Sequence, residues 1–246
     1  MNALKFTLSG KTAFFKKPDV NTYYYFTYGN IHKVALLGIL GAISGYKGYN
    51  QQKLEETTYP EFYEKLADIK IGIVPKNENG YIPKKIQVFN NSVGYASKEL
   101  GGNLIVKEQW LENPEWDIYI LIEGELEKKL ADRIINLKTT YIPYLGKNDH
   151  IANIKNVETI EDINKINNSD KIDSLFIKNN FEFVPTCDEF DDEYVPIYKY
   201  EEMLPIALEK TTNKYILETF VYSNSELKQI KDSVIYDCNG KKIFFF

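Results

Sequence analysis

The sequence predicts an α+β fold, and three observations carry that reading. An N-terminal run alternates apolar and polar residues with the period of a strand. Two stretches, one near residue 31 and one near residue 125, repeat apolar residues at three- and four-residue steps, as a buried helix face does. Between them lies a second strand-like run rich in aromatic and β-branched residues. At 246 residues and 43% hydrophobic content, the chain is long enough to bury a sizeable core.

The elements follow in order. Residues 3–9 form the first strand, with Leu4, Phe6 and Leu8 alternating with Lys5, Thr7 and Ser9 before Gly10 ends it. A loop over 11–28 follows, and Asn30 is placed to cap a helix over about 31–44. Ile31, Ala35, Gly38, Ile39, Ala42 and Ile43 line one face of that helix, whose small residues allow close approach at a cost in helix propensity. A short helix is expected at 61–67 and a buried strand at 69–74, closed by Pro75. Residues 76–110 read as polar and irregular, with strand pieces at 85–89 and 103–108. The strand at 116–123 is separated by Gly124 from an amphipathic helix over 125–137, with Leu126, Leu130, Ile134 and Leu137 on one face. A last strand is expected between about 139 and 154. Strand, helix, strand, insertion, strand, helix suggests a ferredoxin-like βαββαβ unit over 1–154, with an insertion at about 76–112. Residues 155–246 read as a small, mainly β region, with strands at 215–222 and 234–246 and a two-residue hairpin turn at Asn239-Gly240.

Composition narrows the function classes. Two cysteines, Cys187 and Cys238, exclude a disulfide scaffold, a zinc knuckle and a CxxC redox pair, and read as free thiols in a reducing compartment. No run approaches the roughly 20 apolar residues that span a bilayer, and the N-terminus lacks a signal-peptide pattern, so a cytoplasmic protein without membrane contact is expected. Arg133 is the single arginine beside 29 lysines. The net charge of −5 is uneven: residues 1–54 carry seven lysines against Asp19, for +6, and the remainder sums to −11. Positive charge concentrated at one end is compatible with an RNA partner.

Three segments carry candidate chemistry. In the 11–28 loop, Lys11, Lys16 and Lys17 are interleaved with Phe14, Phe15, Tyr23, Tyr24, Tyr25, Phe26 and Tyr28, a mixture suited to phosphate neutralisation and base stacking. The helix N-terminus at 31–33, with His32 and Lys33, would add an anion site. The alternative makes Phe14, Phe15 and part of the 23–26 run core, with the lysines merely solvated. Residues 143–150 place Gly146 before Lys147 and Asn148, where backbone could approach a phosphate, although the pattern is not a P-loop and an ordinary turn is the competing reading. Residues 90–97, with Asn91 and Tyr95 beside Gly94, read as a mobile hairpin tip whose tyrosine could wedge between bases, with a disordered loop tip as the competing reading. His32 and His150, the only histidines, are the candidates for a general base in a metal-independent ribonuclease, although lone histidines are more often structural or surface residues, which is the favoured reading. The acidic run at 188–193 lacks EF-hand spacing and reads as a solvated loop or partner contact. No cofactor or metal is expected.

Residues 6–18 (Phe-Thr-Leu-Ser-Gly-Lys-Thr-Ala-Phe-Phe-Lys-Lys-Pro) resemble the opening strand and loop of the Cas-five subunits of type I CRISPR effector complexes, members of the RAMP superfamily. Residues 27–45 are similar to that family's first helix, with the type I-B branch nearest; 144–148 resemble its later glycine–basic element, and 90–95 fall where its thumb hairpin belongs. The resemblance implies an RNA-recognition-motif-like domain with an inserted thumb. It implies a non-catalytic subunit of the antiviral Cascade surveillance complex that holds the 5′ handle of CRISPR RNA. Implied partners are a Cas-seven-type backbone subunit, a Cas-eight-type large subunit and, through the assembly, target DNA. The RNA-binding residues would be Lys11, Phe14, Lys16, Lys17, Tyr25, Tyr28, Asn30, His32, Lys33, Asn91, Tyr95, Gly146, Lys147 and Asn148. Type I-C relatives instead cut the repeat RNA with tyrosine, lysine and histidine. Here His150 follows Lys147 by three positions rather than directly, so endoribonuclease activity stands as the alternative.

Overall fold

A computed structural model describes residues 1–19, 23–185 and 196–246; Cys187 and the acidic run at 188–193 lie outside the described residues. The chain is a mixed α+β structure of several antiparallel sheets and few helices. In order, it contains β1 (Asn2–Ser9), β2 (Thr12–Ala13), α1 (Lys33–Ser44), α2 (Tyr49–Glu55), α3 (Glu61–Leu66), β3 (Ile71–Pro75), β4 (Lys84–Asn90), β5 (Ile105–Glu112), β6 (Glu115–Ile122), α4 (Glu125–Ile135) and β7 (Asn153–Ile160). The remainder contributes β8 (Asn164–Ile166), β9 (Phe176–Ile177), β10 (Phe181–Phe183), β11 (Lys199–Leu208), β12 (Tyr215–Ser223), β13 (Leu227–Gln229), β14 (Val234–Cys238) and β15 (Lys241–Phe245).

The largest sheet has the order β3-β6-β1-β7, antiparallel throughout. The alternation in β1 decides its two faces. Leu4, Phe6 and Leu8 pack with α1, α3 and α4 in the main core, which also takes Leu204, Leu208 and Phe220 from β11 and β12. Ala3 faces the other way, with Tyr119 and Leu121 of β6, into a second core closed by Tyr236, Ile243 and Phe245 of the β14–β15 hairpin. Gly72 of β3 permits that cover, because a Cβ there would run into the Ile243 side chain. Asn239 and Gly240 turn the hairpin with φ of 55° and 81°, as the sequence predicts. Phe246 then exchanges backbone hydrogen bonds with Ile71, covering the outer edge of β3.

Three expectations are corrected. The cap of α1 is His32, whose Nδ1 accepts the Ala35 N–H at 3.2 Å; Asn30 is fully buried and bonds elsewhere. The last strand of the largest sheet is Asn153–Ile160, not a strand within 139–154. Residues 140 and 141 instead donate their N–H groups to the Ile43 and Ala42 carbonyls, and Arg133 Nε donates to Ile43 O at 2.9 Å. That segment, with the lone arginine, satisfies carbonyls that the end of α1 leaves open. The 76–110 stretch is more regular than expected: the strand pieces at 85–89 and 103–108 fall on β4 and β5, which pair from Lys84↔Leu111 to Asn90↔Ile105 as a projecting hairpin. The tip of that hairpin displays Val93, Tyr95 and Leu100 to solvent.

Cys238 is a buried free thiol, its pKa pushed up to about 12 chiefly by burial. Among the described residues no helix is long and apolar enough to cross a membrane.

Candidate nucleic-acid interface

The loop after β1 is folded against two neighbours. Thr12 and Ala13 pair with Glu112 and Leu111 of β5, and Phe14 N–H donates to Leu145 O at 3.0 Å. The chain then doubles back: Lys17 N–H donates to Phe26 O at 2.8 Å, Tyr28 N–H to Phe15 O at 2.9 Å, and Phe15 N–H to Thr27 Oγ1 at 2.9 Å. Tyr25 lies alongside β5, donating to Lys107 O and accepting from Gln109 N–H, both at 2.9 Å. Glu202 of β11 anchors the return limb. It accepts the Gly29 N–H at 2.8 Å and the Tyr200 hydroxyl at 2.5 Å, and pairs with Lys17 Nζ at 2.9 Å.

This folding sorts the fourteen sequence-predicted residues. Phe14, Tyr28, Asn30, His32 and Lys33 are buried, and of these Phe14 and His32 still contribute to the lining of the groove beside α1. Asn30 accepts the Trp116 indole N–H at 2.9 Å and donates to Gly80 O at 3.2 Å. His32 sits among the rings of Phe15, Tyr28 and Tyr215, where burial pushes its pKa down to about 3 and keeps it neutral. Burial likewise lowers the Lys33 ammonium to about 8, against the attraction of Asp68. The helix N-terminus therefore offers no exposed cation pair.

Lys11, Lys16, Tyr25, Asn91, Tyr95, Gly146 and Asn148 are exposed, and Lys17 and Lys147 half-buried. Lys16 Nζ lies 3.9 Å from the centre of the Tyr25 ring. Lys107 of β5, which sequence reasoning missed, lies 3.9 Å from the Tyr23 ring centre. Lysines and exposed tyrosines thus alternate along the seam between the loop and β5. The seam is hidden in the sequence because its halves are about 80 residues apart and the polar β5 carries no local signal of what it packs against.

The 143–150 turn lies beside this seam. Lys147 Nζ stands 3.1 Å from both carboxylate oxygens of buried Glu108 and 3.6 Å from Asp149. Trp110 Nε1–H donates to the same Glu108 at 2.8 Å. His150 is buried edge-on to Trp110, with Nδ1 2.7 Å from Thr12 Oγ1 and a lowered pKa, mainly from desolvation. Gly146, at φ +92°, brings its backbone close to the Phe14 carbonyl. Tyr141, Ile142, Tyr144 and Lys147 form one wall of an open groove of about 1000 Å³, whose floor is the small-residue face of α1 at Ala35, Gly38 and Ala42. Lys16 stands at its rim.

The sheet face opposite the helices is partly covered and partly charge-paired. Its upper part lies under β14–β15, and its lower part is internally satisfied: Lys5–Glu158 at 2.6 Å, Lys76–Glu115 at 2.8 Å, Lys155–Glu115 at 3.0 Å, and Thr7 donating to Asp117 at 2.8 Å. The same pairing changes the meaning of the N-terminal charge. Of its seven lysines, Lys5, Lys17 and Lys47 are matched by Glu158, Glu202 and Glu55, and Lys33 is buried. Lys11, Lys16 and Lys53 enter no ion pair among the described residues. No cluster of three metal-ligating side chains occurs among the described residues.

Similar architecture is found in solved structures. A CRISPR protein from Archaeoglobus fulgidus superimposes with a TM-score of 0.53 at 12% identity, over 99% of this chain and 98% of its own. A chain of a CRISPR RNA-guided surveillance complex does so with a TM-score of 0.51 at 9% identity, over 92% and 91%. The chain shares its fold with CRISPR-associated proteins. No family model matches the sequence, and no curated protein does. At these identities the likeness concerns the fold.

Proposed function

We propose that this chain is a non-catalytic CRISPR RNA-binding subunit of a type I, I-B-like Cascade complex, gripping the 5′ handle along the seam between the 11–28 loop and β5. The observation that carries the reading is the alternation of exposed Lys16, Tyr25 and Tyr23 with half-buried Lys107 beside the α1 groove. Ammonium groups neutralise phosphates and tyrosine faces accept unstacked bases, which is what a single strand requires. The chain order β1-α1-β3-β6-α4-β7 and sheet order β3-β6-β1-β7 support a ferredoxin-like, Cas-five-type βαββαβ unit with β4–β5 as its thumb. The apolar thumb tip, with Val93, Tyr95 and Leu100, suits a Cas-seven-type or Cas-eight-type protein partner as well as RNA.

Two features support a non-catalytic role over repeat cleavage. Both histidines are buried with lowered pKa values, and Lys147 is already held by Glu108. Incubating the purified chain with repeat RNA in EDTA tests this: intact RNA is expected, and cleavage lost on His150→Ala would establish the endoribonuclease instead. For binding, Lys16→Glu with Lys107→Glu should strip RNA from complexes assembled with the partner subunits. RNA retained at the wild-type level would remove the seam from the site.

A further inference from the structure

A second groove, of about 1160 Å³, adjoins the first and shares Lys16, Tyr49 and Tyr215 with it. It runs between α2 and the 209–214 turn joining β11 to β12. Four lysines line it, Lys16, Lys53, Lys210 and Lys214, against one acid, Glu56. None of the four enters an ion pair among the described residues, unlike the lysines of the large sheet. The lining is otherwise rich in hydroxyl and amide groups from residues 57–58 and 211–213.

The groove is held in shape by side chains. Gln52 of α2 donates to Asn213 Oδ1 at 2.7 Å, and Asn213 Nδ2 donates to Thr58 O at 3.0 Å, so helix and turn are tied across the floor. Glu209 accepts the N–H groups of Thr211 and Thr212 at 2.9 and 2.7 Å, which directs its charge into the turn and fixes the backbone carrying Lys210 and Lys214. Tyr49, 48% exposed, stands at the junction of the two grooves. Unpaired cations, neutral hydrogen-bond donors and an aromatic wall are the parts of a sequence-tolerant single-strand channel.

We infer that RNA leaving the α1 groove passes Lys16 and continues into this second groove, where Lys53, Lys210 and Lys214 hold its phosphates without reading bases. The inference rests on the RNA-binding reading above and extends it to a surface about 200 residues along the chain from the first loop. Continuity with the first groove favours a nucleic acid over an acidic protein segment.

The test uses the full chain with Lys53→Gln, Lys210→Gln and Lys214→Gln combined, and a fluorescently labelled single-stranded oligouridylate followed by anisotropy over a salt series. None of these three ammonium groups forms an ion pair among the described residues, so the fold should tolerate the changes, and an unchanged melting curve verifies the variant. With three phosphates no longer neutralised, affinity falls at low salt, and the slope of log affinity against log salt becomes shallower by about 2, at about 0.7 per phosphate. A wild-type slope in this variant, beside weakened binding in Lys16→Gln/Lys107→Gln, overturns the second groove and leaves the seam standing. Wild-type binding in both variants overturns both. A labelled oligoglutamate that binds as tightly as the RNA and displaces it overturns the assignment of this groove to nucleic acid.

Discussion

Replacing Gly146 by alanine adds one methyl group where the backbone of another segment already lies. The residue is exposed, so a surface substitution elsewhere would be nearly neutral. Here a Cβ would fall well inside 3.0 Å of the Phe14 carbonyl oxygen and carbon, and Phe14 belongs to main chain that no rotamer change can move. At φ +92° an L-residue also carries an intrinsic cost of about 1–2 kcal/mol. Relieving the clash separates the two loops and breaks the Phe14 N–H to Leu145 O bond, a further cost of about 1 kcal/mol. The sum, about 3 kcal/mol, lowers the melting temperature by about 6–12 °C in a chain of this size. Differential scanning calorimetry of Gly146→Ala beside wild type measures it, and RNA affinity should fall with it because the turn braces Phe14, two residues before Lys16. A melting temperature within about 1 °C of wild type would refute the claim that this glycine is required for loop packing.

Two further outcomes follow from the same interior. Glu202→Ala leaves the Gly29 N–H, the Tyr200 hydroxyl and Lys17 without their shared acceptor, so stability should fall by about 1–3 kcal/mol, and amide hydrogen exchange at residues 25–29 should accelerate; unchanged exchange would show that β11 does not anchor the loop. His32 titrates near 6.5 when unfolded and at about 3 when folded, so the unfolded state binds more protons between those values and stability falls as pH drops through that window. His32→Asn keeps a capping side chain without the titration, and between pH 6.5 and 5 its loss of stability should be smaller than that of wild type by about 2 kcal/mol. Equal pH slopes in chemical denaturation of the two proteins would contradict a neutral, buried His32.

Much of the fold is legible in the sequence wherever one segment carries a complete period. The alternation of Leu4, Phe6 and Leu8, the apolar face of α1, the Trp116–Ile122 run and the Asn239-Gly240 turn each declare an element without help from distant residues. β11 does not, because its acidic residues find partners from elsewhere, Glu201 in Lys178 and Glu202 in Lys17 and Gly29, and Pro205 sits at a bulge. The candidate site is legible in part for the same reason. Residue types in the 11–33 segment point to RNA, but which of them face water depends on Leu145, Trp116 and Glu202, none of which is near in sequence. The charge of +6 over residues 1–54 misleads most, since its partners Glu158 and Glu202 are contributed from far along the chain.

Photo-crosslinking of bound single-stranded RNA to the wild-type chain, read by peptide mass spectrometry, tests the central claim most directly. Crosslinks are expected on the peptides containing Tyr25 and Lys107, which flank the seam, and on the peptide containing Tyr144 along the adjoining groove. Crosslinks confined to Lys5, Lys155 and the other residues of the paired sheet face would place the RNA on the surface that these ion pairs close, and would contradict the account.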